Sequence, residues 1–214
     1  MIGLVYKDCM TLKKQLTTLL MFLLAYGALT VAGVFDVSIL GALVTVMGMT
    51  IPMSSVALDD AARWDRYAVA TPAGRRGVVA GKYVFTTLVI VVSSIFAVLL
   101  MVGLSLAGLS KQTLTENLVV ALSCAAVTLL LNAVILPFLL KYGAEKARVI
   151  SMTVFVVIFG GALLLENLWD NGMVLPEIPA GLVQALPVLF CSLAVGAFVV
   201  SYVISLGIYN RKEF

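Results

Sequence analysis

The chain of 214 residues has no histidine, only three cysteines, and 12% charged residues against 62% hydrophobic ones. Without histidine the commonest general base and metal ligand is missing. Three cysteines make no disulfide framework. Cys124 and Cys191 lie in long apolar stretches, where a free thiol behaves as a small apolar side chain, and Cys9 is assigned the same packing role. No phosphate-binding loop is present: Pro72-Ala73-Gly74-Arg75-Arg76-Gly77 carries glycines but lacks the spacing to a Lys-Ser/Thr pair. These absences assign no catalytic residue and no metal site, and the chain reads as something other than an enzyme. A mean hydropathy of +1.13 leaves too little polar surface for a soluble globule.

What is abundant is hydrocarbon, in six runs: Leu16–Phe35, Val37–Leu58, Tyr83–Leu109, Leu118–Leu140, Val149–Leu165 and Leu182–Ile208. Each is near or above the ~20 residues that a helix needs to cross a bilayer. Threading six spans puts thirteen of the fourteen Lys and Arg residues on one face and leaves Lys111 alone on the other. Cytoplasmic loops carry the Lys/Arg excess, so both termini are expected inside the cell. The basic face suits the anionic headgroups of a lipid bilayer and needs no nucleic acid. The expected fold is an all-α integral membrane protein with six transmembrane helices, and the first run is read as a retained helix, being too long for a signal-peptide core.

The chain divides into an amphipathic segment 1–15, spans one and two at 16–58, an inner segment 59–82, spans three and four at 83–140, an inner loop 141–148, spans five and six at 149–208, and a tail 209–214. In the first segment Val5, Cys9, Leu12 and Leu16 recur at helical spacing while Lys7, Lys13 and Lys14 lie mostly on other faces. This pattern suits a helix lying in the headgroup plane, or a basic leader that only orients the first span. A tight turn around Asp36 joins the first two spans. The outer loop 166–181 carries three acids, Trp169, Pro176 and Pro179, which fits either a shielded re-entrant hairpin or a surface loop.

Ionisable groups are nearly absent from the spans, and this disfavours an ion-coupled carrier, which places acids or relay groups at membrane depth. The deepest polar side chain is Asn132, with Ser54 and Ser55 near the inner end of span two; these three are the candidate substrate-pathway residues. Asn132 equally suits an interhelical hydrogen bond. Pro52 and Pro137 near the inner ends of their spans suit a hinge or a tolerated kink, and Ser192 with Gly196 gives a small-xxx-small pair.

The inner segment is the most distinctive. Asp59-Asp60-Ala-Ala-Arg63-Trp64-Asp65-Arg66-Tyr67 reads as a helix prolonging span two, with Asp59 and Arg63 in the favourable i, i+4 order and Trp64 and Tyr67 on one face. An aromatic pair among charges suits a groove on another protein, or else the interfacial aromatic belt. Thr71-Pro72 then interrupts the helix. Here the chain resembles ABC-2 type transporter permeases, on Asp60, Trp64, Tyr67, Thr71-Pro72, Arg75 and Lys82-Tyr83, with Tyr6-Lys7-Asp8 before the first span and Ser205 to Tyr209-Asn-Arg-Lys-Glu-Phe214 at the close. Within that family it is most similar to permeases of exporters for amphipathic peptides of the phenol-soluble modulin type.

The resemblance implies the ABC-2 (type V exporter-like) permease fold in a bacterial plasma membrane. It implies a transporter of two permease copies, identical or paralogous, with two separate ATPase subunits that bind ATP and Mg. No cofactor is expected in this chain. Asp59, Asp60, Arg63, Trp64, Tyr67, Pro72 and Arg75 would meet the ATPase, with Lys141, Glu145 and Arg148 as a second contact. Residues 1–15 would match the family's interfacial connecting helix. The expected cargo is an amphipathic peptide or lipid-like molecule moved outward. A membrane-embedded toxin-immunity or scaffold protein without nucleotide coupling is the alternative.

Overall fold

A computed structural model describes residues 2–33, 38–69, 74–106, 113–170 and 180–212. Every element among them is an α-helix: α1 (Ile2–Thr11), α2 (Lys13–Val31), α3 (Ser38–Ala61), α4 (Trp64–Val69), α5 (Gly74–Leu106), α6 (Leu114–Tyr142), α7 (Ala144–Asp170) and α8 (Ala180–Asn210). Four of these, within α3, α5, α6 and α8, are long and apolar enough to cross a membrane. Helices are the natural answer to a solvent without hydrogen-bonding capacity, because every backbone N–H and C=O is satisfied within the segment.

α6 is the centre of the bundle and packs against α3, α5, α7 and α8. Its start is fixed by a capping box: Thr113 Oγ1 accepts from the Glu116 N–H, and the Glu116 carboxylate accepts from the Thr113 N–H at 2.9 Å. Its approach to α3 depends on two glycines. A Cβ at Gly48 would sit 2.3 Å from Thr128 Cγ2, and one at Gly41 would sit 2.9 Å from Cys124 Sγ. Pro52, Pro137 and Pro187 all lie inside unbroken helices. Outward faces such as Val149, Met152, Val156 and Val157 on α7 and Val188, Val199 and Val203 on α8 are exposed and apolar, as a hydrocarbon solvent requires.

Helix boundaries depart from the hydropathy runs at the charged end. α3 reaches Ala61, α5 begins at Gly74 rather than Tyr83, and α7 begins at Ala144. The inner loop 141–148 therefore shrinks to one residue outside a helix, Gly143, at φ +80. The helix expected to run through residues 59–67 is interrupted: Arg63 adopts φ 49, and its N–H donates to the Asp60 carbonyl at 3.0 Å. A left-handed residue closes α3 and lets α4 start in a new direction, so Asp59 and Arg63 do not share a helix. At the far end α7 carries the chain through Asp170. The turn at Asp36, Lys111, Thr71-Pro72, and Pro176 and Pro179 of the outer loop lie outside the described residues.

Candidate functional site

Three helices converge where α3 ends. α1 brings Lys7 and Asp8, α3 brings Ser55 and Asp59 one turn apart on the same face, and α5 brings Lys82. Lys82 Nζ lies 3.1 Å from Asp8 Oδ2 and 2.6 Å from Asp59 Oδ2, and it donates to Ser55 Oγ at 2.6 Å. Lys7 Nζ lies 2.6 Å from Asp59 Oδ1 and 3.1 Å from Asp8 Oδ1. The side chains of Asp8, Lys82 and Asp59 are 4%, 9% and 10% exposed, and that of Lys7 27%. Two acids and two bases leave no net charge, and each carboxylate touches both ammonium groups. Burying charges is tolerated only when they are paired and further hydrogen-bonded, as here. Trp64 lies against the cluster, its ring 4.8 Å from Lys7 Nζ, within cation–π range. Gly81 faces α1, where a Cβ would stand 3.4 Å from Leu4 Cβ, in ordinary van der Waals contact.

Next to this cluster Asp60 makes a different connection. Its Oδ2 accepts the Ala144 N–H at 2.8 Å, capping α7 from another segment of the chain. A carboxylate there meets the positive end of the α7 dipole. The tight Gly143 turn makes room for it, since a Cβ at Gly143 would lie 3.0 Å from Asp60 Oδ2. The two inner regions that the sequence offered separately, 59–67 and 141–148, are thus one joined surface. Two further cations tie down helix ends: Arg75 donates to the Asn210 carbonyl and Lys212 Nζ to the Leu140 carbonyl at 3.1 Å.

The candidate contact residues separate into inward and outward groups. Asp59 is inside the ion cluster, and Trp64 is half-buried against the core that contains Met53, Val56 and Val79. Tyr67 is 67% exposed, so the two aromatics do not present one face. Arg63, Lys141, Glu145 and Arg148 are exposed, and Lys141 Nζ sits 4.9 Å above the Tyr142 ring. Pro72 lies outside the described residues.

The three candidate pathway residues are occupied within the chain. Asn132 is buried, and its Nδ2 donates to the Gly48 and Thr128 carbonyls at 3.0 and 2.9 Å. Ser55 belongs to the ion cluster, and Ser54 is half-buried beside it in sequence. The sequence alone misses the cluster itself, because in it Lys7 and Lys82 belong to the basic face and Asp8 to the Tyr6-Lys7-Asp8 motif. It also misses a hydroxyl network in which Tyr83 Oη meets Ser201 Oγ at 2.7 Å and Ser205 Oγ at 2.8 Å, with Ser201 donating to the Ala133 carbonyl at 2.6 Å. The i, i+4 spacing of Ser201 and Ser205 was the available signal. Among the described residues no group of three metal-ligating side chains occurs.

The arrangement links α1, α3, α5 and α7 at one end of the bundle. A family model described as "ABC-2 family transporter protein" matches residues 3–210. Comparison with curated proteins and with solved structures returns no match.

Proposed function

The chain belongs to the ABC-2 family of transporter proteins, as a multi-pass membrane permease component of an ABC transporter, and on that premise we propose that it exports an amphipathic peptide or lipid-like substrate, driven by a separate ATPase. The observation that carries the reading is the Asp60–Ala144 bond, which makes one surface of the α3–α4 turn and the α6–α7 turn. The ATPase seats on the outward residues of that surface, Arg63, Tyr67, Lys141, Glu145 and Arg148. Asp59 and Trp64 act behind them and Asp60, itself exposed, caps α7; together they transmit displacement to α1, α5 and α7 through the ion cluster and the α7 cap.

In this reading six helices, α2, α3 and α5 to α8, span a bacterial plasma membrane with both termini inside, supported by the Lys/Arg bias. Two permease copies, identical or paralogous, form the pathway, and ATP with Mg binds only to the ATPase. A movement of the bundle driven from one end needs two arrangements of the same contacts. The charge-poor helices suit a cargo that enters from the lipid phase.

The test is co-purification with a candidate ABC ATPase subunit co-expressed with this chain. Tyr67→Ala and Arg148→Glu are expected to weaken the complex about tenfold or more, as truncation of exposed aromatic and Arg anchors does, with helicity and expression unchanged. Trp64→Ala and Asp60→Arg disrupt the pairing too, but through the surface behind it. A permease that ignores the ATPase, or outward variants that bind like wild type, would leave the scaffold or immunity reading in its place.

A further inference from the structure

Between α1, α2, α3 and α5 lies a cavity of about 180 Å³ whose walls include Cys9, Leu20, Ile51, Phe85, Val89 and Phe96. Its lining is almost wholly hydrocarbon. Burial, and after it the negative charge of Asp8, pushes the Cys9 thiol above its ordinary pKa, so that wall stays neutral near pH 7. Apolar cavities of about 150 Å³ already stay dry and take up hydrocarbon. Leu20, Leu88 and Val92 also line it, and they are 46%, 43% and 57% exposed, so the cavity opens sideways on the face that meets the bilayer.

Charge stands on the same face. Lys13, exposed, starts α2 seven residues before Leu20, which is two helical turns and about 10.5 Å along the axis. A cation at headgroup level above a dry sideways slot has the polarity of an anionic phospholipid. We propose that this slot holds one acyl chain of an anionic phospholipid whose phosphate pairs with Lys13. The lipid would fill the gap between α2 and α5 next to the ion cluster. The site depends only on the chain lying in a bilayer, whatever the cargo.

The test uses the full chain in nanodiscs of phosphatidylcholine and phosphatidylglycerol, the latter carrying a diazirine in mid-chain, with the crosslinked residues mapped by mass spectrometry. Labelling is expected to concentrate on residues 85–96 and around Leu20. Val92→Trp, a change at the exposed mouth that leaves the core untouched, should reduce it about tenfold, equivalent to ~1.4 kcal/mol of binding. Leu88→Phe tests the same wall should the tryptophan variant misfold. Lys13→Gln should bring phosphatidylglycerol labelling down to that of a phosphatidylcholine analogue. The proposal is overturned by labelling spread evenly over the outward faces of α5, α7 and α8. Undiminished labelling in folded Val92→Trp and Leu88→Phe overturns it as well, as does a Val92→Cys variant that crosslinks copy to copy and so shows a second permease covering the slot.

Discussion

At the charged end α1, α3 and α5 meet through four ionised side chains at 2.6 to 3.1 Å. Farther along, α3 meets α6 with glycine against threonine and cysteine, and with hydrogen bonds from Asn132 Nδ2 to the Gly48 carbonyl and from Thr45 Oγ1 to the Cys124 carbonyl. The first contact has large opposing terms, desolvation against Coulomb attraction, and it joins three helices because each carboxylate touches both ammonium groups. The second has small terms, dispersion and two hydrogen bonds, and it fixes distance because no larger side chain fits at Gly41 or Gly48 between the backbones. The two contacts thus differ in kind: a charged joint at one end of the bundle, and a close, charge-free seam between α3 and α6.

The strongest way to break the comparison is Lys82→Met, which leaves two buried carboxylates with only Lys7. The expected loss is about 3–5 kcal/mol, measured by unfolding in a mild detergent titrated with dodecyl sulfate. Removing one acid as well, in Lys82→Met/Asp8→Asn, should recover part of that loss, because the remaining Lys7–Asp59 pair is neutral overall. A double variant no better than the single one would deny that the charges act as a unit. Next in size is Gly48→Ala, whose new methyl meets buried Thr128 at 2.3 Å; about 1–3 kcal/mol of overpacking is expected. Thr128→Ser, which deletes the opposing methyl, should rescue it. The smallest effect belongs to Asn132→Ala, with an expected loss near 0.6 kcal/mol, the average for interhelical polar bonds in a membrane. A collapse of transport with stability intact would instead return Asn132 to the substrate pathway.

Much of the architecture was legible beforehand. Hydropathy located the long helices, since hydrocarbon length is a local property, and the spaced Asp60, Trp64 and Tyr67 pointed to the family that the match over residues 3–210 shows. Helix ends were less legible. Arg75, Arg76 and Lys82 look like loop residues to a hydropathy scale, yet they belong to α5 because its first turns pack on α1, α4 and α8. Arg63 carried no glycine-like signal for its left-handed turn. Trp64 and Tyr67 looked equivalent by spacing, yet within α4 the first packs against the core and the second is left exposed.

Local composition alone settled that this chain forms apolar helices with their cations gathered at one end, because a residue's cost in hydrocarbon depends mainly on its own chemistry. Which of those cations face lipid or a partner, and which are enclosed, was decided only by packing. Lys7 lies 52 residues from Asp59, and Lys82 lies 74 from Asp8. A Lys or Asp at a helix end has the same local pattern whether it points to water or to its opposite, and only the convergence of three distant segments brings the opposites within reach.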